Sequence, residues 1–63
     1  MKLNKLLYTI SYDYNIIIAN SADETILSIK PFESREKIFK YEKIDVLRFD
    51  IVNNNTFKIM LYV

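Results

Sequence analysis

The chain has 63 residues, of which nine are Lys or Arg and eight are Asp or Glu, so its formal net charge is +1. This balance argues against the strongly basic surface of a duplex-binding protein and against the acidic surface of a nucleic-acid mimic. The absence of Cys and His excludes disulfide bonds and metal sites built from soft ligands. We therefore expect one small domain over residues 1–63, stabilised by dense apolar packing, self-association or both.

The composition gives two further expectations. Glycine is absent, so backbone positions with positive φ must be occupied by Asn or Asp. Ile, Asn, Lys, Tyr and Phe dominate, and these residues have AT-rich codons, which is typical of AT-rich bacteria and of their phages and plasmids.

No stretch approaches the roughly 20 apolar residues that span a bilayer, and the first ten residues resemble a strand more than a signal peptide. A cytoplasmic protein without membrane contact is expected.

Alternating apolar residues from 6 to 20 predict β-structure in the first third of the chain. The run is too long for one typical strand, and residues 13–15 favour a turn. A second turn over residues 20–23 leads into a strand over residues 24–30. Closing that turn places Ile18 opposite Thr25. These features predict a three-stranded antiparallel meander with one apolar face.

The middle of the chain allows two interpretations. Pro31 ends the preceding strand because it cannot donate a backbone hydrogen bond. Over residues 34–43, Ser34 can cap a helix, and Ile38, Tyr41 and Ile44 recur at spacings of three. The alternation around Phe39 and Tyr41 instead favours a further strand. Helix and strand both remain open for this segment.

The last twenty residues predict a β-hairpin whose register is determined by the alternation of apolar and polar side chains. A turn through residues 53–55 places Val52 opposite Thr56 and continues an apolar face along both strands. The apolar pairs are Ile51 with Phe57, Phe49 with Ile59, and Leu47 with Leu61. The pairs on the other face are Asp50 with Lys58, Arg48 with Met60, and Val46 with Tyr62. Asn55 is the expected left-handed residue of the turn.

Together these elements predict an all-β or mainly β fold. We expect five to six short antiparallel strands, an amino-terminal meander plus the carboxy-terminal hairpin, forming a small sandwich or a partly open barrel. A short helix near residues 34–43 is the alternative to one of these strands. The chain ends inside a strand at Val63, and we expect that strand to form a sheet edge that pairs with a second copy.

The sequence indicates no catalytic, cofactor-binding or metal-binding residue. It contains no His, no Cys, no glycine-rich phosphate loop and no nucleophile-elbow pattern around a serine. The carboxylates are scattered, and the adjacent pair Asp23 and Glu24 would point to opposite faces of a strand. We therefore predict that the protein is not an enzyme and needs no cofactor.

Aromatic residues provide the candidate partner-binding site. Alternating tyrosines are more often part of a core, but a tyrosine at the core rim also suits a protein interface. The segment 33–43 carries charges around Phe39 and Tyr41, which is typical of a solvated element and compatible with a docking surface. The candidates for partner contact are Tyr8, Tyr12, Phe39, Tyr41, Arg48 and Tyr62.

These observations predict a non-catalytic protein-binding module. A small inhibitor or adaptor, encoded by a phage or plasmid and acting on a host protein by surface complementarity, fits the size and charge. The expected partners are a host protein or a second copy of the chain. The alternative is weak binding of single-stranded nucleic acid, with bases stacked on Tyr8, Tyr12 and Tyr14 beside Lys5, although the net charge disfavours nucleic acid as a partner.

Overall fold

A computed structural model describes all 63 residues and contains one four-stranded mixed sheet and two short helices. The elements in chain order are helix α1 (Leu3–Leu7), strands β1 (Asn15–Ala19) and β2 (Thr25–Ile29), a 3-10 helix (Glu36–Tyr41), and strands β3 (Val46–Asn53) and β4 (Thr56–Leu61). The expectation of a mainly β fold is confirmed. Neither helix has the length to cross a bilayer.

The strands lie in the order β2-β1-β4-β3, with β1 and β4 parallel and the two outer pairs antiparallel. The predicted five to six antiparallel strands in a sandwich or barrel are therefore corrected to four strands in one mixed sheet. The physical reason is that the two hairpins join side by side through hydrogen bonds between β1 and β4. The sequence pattern suggested instead that the hairpins would stack face to face.

The hydrophobic core lies between one face of the sheet and the two helices. Each strand alternates its side chains, so Ile16 and Ile18 of β1 share the covered face while Ile17 points to the other. The other face carries Arg48 and Asp50 and is not covered by a helix. The core residues are Leu3, Leu6, Leu7, Ile10, Ile16, Ile18, Ile29, Ile38, Ile59 and Leu61.

Helix α1 replaces the strand predicted near the amino terminus, and this is the largest error in the sequence interpretation. The buried residues Leu3, Leu6, Leu7 and Ile10 follow the spacing of one helical face, whereas the alternation from Leu6 onward suggested a strand. The first amides of α1 are satisfied by the segment after the 3-10 helix. Leu3 N–H and Asn4 N–H donate to the carbonyls of Ile44 and Glu42, at 2.9 Å each. The predicted meander is thereby reduced to the β1–β2 hairpin.

The β1–β2 hairpin keeps the predicted apolar face but not the predicted register. Ile18 faces Leu27 and not Thr25, because the loop extends to residue 24, so that Thr25 faces Ala19, and a bulge shifts the register between Ala19 and Ile18. Asn20 organises the turn, since its Oδ1 accepts from the N–H groups of Ala22 and Glu24 at 3.0 and 2.9 Å. Asp23 occupies the left-handed region with φ of 65°. An Asp at positive φ is what a chain without glycine was expected to use.

Residues 30–33 form a tight turn that leads into the 3-10 helix. Glu33 N–H donates to the Lys30 carbonyl at 3.0 Å, Pro31 holds the second turn position, and Phe32 has φ of 62°. A large aromatic residue at positive φ costs conformational energy, and Phe32 is 77% exposed. The 3-10 helix then buries Ile38 completely in the core. Helix is thus the correct interpretation of the two that were open for residues 34–43.

The β3–β4 hairpin has the predicted register over most of its length. Phe49 faces Ile59 and Asp50 faces Lys58, as predicted from the alternation of apolar residues. Irregularities at both ends change the remaining pairs, so Thr56 faces Asn53 and Leu61 faces Val46. The residues facing Leu61 and Thr56 were therefore predicted incorrectly. In addition, Asn55 does not have positive φ.

Strand β4 lies in the interior of the sheet, which corrects the prediction that the carboxy-terminal strand is an edge. It pairs in parallel with β1, where Ile59 faces Ile18, and in antiparallel with β3. The edges are β2 and β3. Such a parallel pairing joins segments about forty positions apart, so local sequence cannot specify it.

Candidate protein-binding groove

A groove of about 160 Å³ opens where α1, the segment after it and the 3-10 helix meet. We call it the aromatic groove and define it by its seven lining residues. These are Asn4, Leu7, Tyr8, Tyr12, Arg35, Phe39 and Glu42. Three of the six residues predicted to contact a partner, Tyr8, Tyr12 and Phe39, therefore come together, although the structure that unites them is helical and not a sheet face.

The aromatic side chains of the groove are unusually accessible. Tyr8 is 90% exposed, Tyr12 is 59% exposed and Phe39 is 56% exposed. Tyr8 follows the last residue of α1, and Phe39 lies on the 3-10 helix next to the buried Ile38. Because Ile38 must enter the core, its neighbour Phe39 is turned outward. These rings thus form a rim and leave the core to aliphatic residues.

The Arg35 side chain connects the segments that line the groove. Its guanidinium donates to the Leu7 carbonyl at 3.1 Å and to the Ser11 carbonyl at 2.8 Å, and it lies 4.2 Å from the centre of the Tyr12 ring. The side chain is buried, and its cation is stabilised by these carbonyls and the aromatic face without an ion pair to a carboxylate. Arg35 therefore ties the end of α1 to the start of the 3-10 helix.

Two acceptors of the groove lack a partner within the chain. Asn4 Oδ1 is buried and forms no hydrogen bond. Glu42 is half-buried, and its carboxylate forms neither an ion pair nor a side-chain hydrogen bond. A buried acceptor without a donor costs about 1–3 kcal/mol in a folded protein.

The other three predicted contact residues lie elsewhere. Tyr41 is half-buried, packs against the core beneath Lys40 at 5.2 Å, and lines a shallower concavity with Ile26 and Leu27. Arg48 is exposed on β3 and pairs with Asp50 at 3.1 Å. Tyr62 is exposed beyond the end of β4. The six residues hence do not form one surface.

The three tyrosines that were predicted to stack single-stranded bases, Tyr8, Tyr12 and Tyr14, are also separated in the structure. Tyr14 is half-buried and packs edge-on against Phe57, with ring centres 5.0 Å apart. Tyr8 and Tyr12 belong to the aromatic groove. The three rings therefore do not line one sheet surface on which successive bases could stack.

Sequence reasoning missed Asn4, Leu7, Arg35 and Glu42 as groove residues. One signal was available, because the helical spacing of Leu3, Leu6 and Leu7 would have placed Asn4 and Tyr8 on one side of α1. No local signal identifies Arg35, whose hydrogen bonds reach residues more than twenty positions earlier in the chain.

The arrangement suits recognition by shape and hydrogen bonding. No cluster of three or more acidic, His or Cys side chains could hold a metal ion. Comparison of the chain with protein-family models, with curated proteins and with solved structures finds no match.

Proposed function

We propose that this protein is a non-catalytic protein-binding module whose aromatic groove receives a basic side chain, Arg or Lys, of a partner protein. The observation that carries the proposal is the combination of exposed rings with unpartnered acceptors. Tyr8, Tyr12 and Phe39 form the rim, the half-buried Glu42 carboxylate is the accessible acceptor, and Asn4 Oδ1 is a second, buried acceptor without a partner.

The exposed aromatics support a protein partner. Aromatic side chains are enriched at the centres of protein interfaces, where they contribute much of the binding energy. Tyr8 contributes little to the core because it is 90% exposed, so its ring is available for contact with a partner. A partner that covers Tyr8 and Phe39 gains apolar contact and shields the hydrogen bonds below.

The acceptors support a basic side chain in particular. The Arg35 guanidinium is buried, and two of its five N–H groups donate to the carbonyls of Leu7 and Ser11, so it presents little surface to a ligand. What remains accessible is the π-electron density of the rim and the half-buried Glu42 carboxylate, the surroundings that a guanidinium or ammonium group prefers. The apolar stem of such a side chain would lie against Leu7 and Phe39.

The composition supports the biological setting. The AT-rich amino acid usage, the small size and the near-neutral charge are typical of a phage- or plasmid-encoded inhibitor or adaptor that acts on a host protein by surface complementarity.

A selection from a random peptide library tests the proposal. We expect the immobilised protein to enrich peptides with an Arg or Lys next to an apolar residue. Tyr8→Ala and Glu42→Gln should each weaken the selected peptides about tenfold or more, because they remove the rim and the charged acceptor. Phe32→Ala is the matched control, since Phe32 is an exposed aromatic outside the groove.

Replacement of the basic residue in a selected peptide by citrulline or norleucine completes the test. Citrulline keeps the shape of Arg without its charge, so weaker binding would assign the recognition to the cation. Selected peptides without a basic residue, or equal binding to Tyr8→Ala and to the wild-type chain, would contradict the proposal.

A further inference from the structure

The free edge of β3 presents a pattern that is complementary to itself. Strand β3 pairs with β4 on one side only, and six of its eight residues are exposed. Among them are the apolar residues Phe49, Ile51 and Val52. Long edge strands with apolar side chains are usually protected by prolines, lysines or a covering element, because their unpaired amides and carbonyls invite another strand. Residues 47–53 carry no proline and no lysine.

We propose that β3 pairs with β3 of a second copy of this chain, antiparallel and centred on Phe49, which joins two sheets into one of eight strands. A two-fold axis at Phe49 places that residue opposite its own copy. Arg48 then faces Asp50 of the second copy, and Asp50 faces its Arg48. Leu47, which lies at the irregularity between Val46 and Arg48, would face Ile51 of the second copy. Apolar residues thus pair with apolar residues, and opposite charges pair with each other.

Neighbouring registers lack this complementarity. An axis at Arg48 brings two guanidinium groups face to face, and an axis at Asp50 does the same with two carboxylates. A register that pairs residues of opposite strand faces sets Phe49 beside a charged residue and mixes the two faces of the sheet. Centring on Phe49 is therefore the one arrangement along this strand in which all paired side chains attract.

The charges within each chain already have the required positions. Arg48 Nη2 lies 3.1 Å from Asp50 Oδ2 of the same strand, on the face that no helix covers. In the dimer, each guanidinium would have one carboxylate along its own strand and another across the two-fold axis. Four charges would thus alternate in sign around a small square, and such networks contribute more than isolated surface pairs.

Contacts of the amino terminus with β3 limit how many β3 residues can pair with a second copy. The Val46 amide donates to the carbonyl of Met1 at 2.7 Å, and Lys2 forms a bridge with Asp45. The beginning of the β3 edge is therefore occupied by the chain itself, and residues 47–51 remain for the second copy. This limited pairing predicts a dimer that dissociates on dilution through the micromolar range.

Charge reversal tests the pairing directly. Sedimentation of the wild-type chain over a concentration series should show a monomer–dimer equilibrium. Arg48→Asp makes the paired positions anionic and Asp50→Arg makes them cationic, so each variant alone should dimerise about tenfold more weakly or worse. An equimolar mixture of the two variants should form a heterodimer, because each anionic strand then faces a cationic one.

The melting curve of each variant separates loss of pairing from loss of folding. Asp50→Arg brings a second cation opposite Lys58 in its own chain, and a destabilised fold would appear there. The double variant Arg48→Asp with Asp50→Arg restores complementarity and should recover dimerisation. Tyr8→Ala should leave dimerisation unchanged, so failure of the groove and failure of the edge are distinguishable.

The register has its own measurement. In a mixture of differently labelled chains, nuclear Overhauser effects should connect the methyl groups of Leu47 in one chain with those of Ile51 in the other. A wild-type chain that stays monomeric at millimolar concentration would overturn the proposal. Variant chains that dimerise as well as the wild type, or methyl contacts in another register, would do the same.

Discussion

The Arg35 guanidinium lies 4.2 Å from the centre of the Tyr12 ring while it donates to the carbonyls of Leu7 and Ser11. One buried cation therefore connects the end of α1, the segment that leads to β1 and the start of the 3-10 helix. It also forms the floor beneath an exposed aromatic rim. The stability of the fold and the shape of the aromatic groove consequently depend on the same side chain.

Arg35→Met is expected to lower the free energy of unfolding by about 2–3 kcal/mol, because it leaves two carbonyls without their charged donor. In a domain of this size such a loss lowers the melting temperature by roughly 10 °C or more. The melting temperature of Arg35→Lys should lie between those of the wild-type chain and Arg35→Met, since an ammonium group cannot reproduce the planar fork of the guanidinium. Lys5→Met, an exposed cation on α1, is the control. Equal melting temperatures for Arg35→Met and the control would contradict this role.

Phe32→Asn is expected to stabilise the protein by about 1 kcal/mol. Phe32 has φ of 62° in a tight turn, where Asn has a smaller conformational penalty, and its ring is 77% exposed and contributes little burial. Chemical denaturation measures the change. Tyr62→Asn replaces another exposed aromatic that does not have positive φ, and it should bring no such gain. A loss of stability in Phe32→Asn would show that the ring packs in solution.

Asn4→Leu is expected to raise stability by about 1 kcal/mol and to weaken binding of groove-selected peptides. The substitution removes a buried acceptor that has no partner and adds a better helix former to α1. Asn20→Leu is the control and should lower stability, because the Asn20 side chain makes three hydrogen bonds in the turn between β1 and β2. A destabilised Asn4→Leu variant would mean that the amide is satisfied in the free protein.

Glu33 is expected to make folding sensitive to acid. The backbone N–H of Lys30, which donates to Glu33 Oε1 at 2.9 Å, and the nearby Lys37 hold the pKa of Glu33 below its ordinary value of 4.5. A carboxyl whose pKa is lower in the folded state contributes stability above its unfolded pKa and loses it as the pH falls through the folded pKa. Carboxyl chemical shifts measured by NMR during an acid titration give that pKa directly.

Glu33→Gln should therefore narrow the difference in melting temperature between neutral pH and the acidic range below pH 4.5. Lys37→Met should raise the pKa of Glu33 but leave it below the ordinary value, because the Lys30 amide remains in place. An unchanged acid dependence in Glu33→Gln would contradict the expectation.

Single-stranded oligonucleotides are expected to bind weakly or not at all. Tyr14 packs against Phe57 away from Tyr8 and Tyr12, and the chain carries a net charge of only +1. Fluorescence anisotropy of a labelled oligonucleotide at low ionic strength measures binding. A salt-dependent rise that Tyr8→Ala abolishes would favour the nucleic-acid alternative over the protein-binding proposal.

The sequence interpretation was most accurate for features that residues close together in the chain determine. The pairing of Phe49 with Ile59 was predictable because a short turn and an alternating pattern determine it within about ten residues. At the amino terminus, Leu6 and Ile10 fit both an alternating and a helical pattern. Leu3 and Leu7 decide in favour of the helix, and an alternation that began at Leu6 left Leu3 out.

The aromatic groove was only half predictable for a similar reason. Exposed aromatics such as Tyr8 and Phe39 can be suspected from composition and from charged neighbours. Their convergence depends on Arg35, which acts across more than twenty residues.

The amino-acid sequence by itself determined a small, mainly β chain, a helical or extended segment at residues 34–43 and the register along most of the last hairpin. These features depend on side-chain alternation and turn chemistry between near neighbours. The tertiary structure alone decided that β1 and β4 run parallel, that β3 is an edge and that Arg35 is buried beneath Tyr12. Such contacts join distant segments, and they are selected by the packing of the whole core and not by local preference.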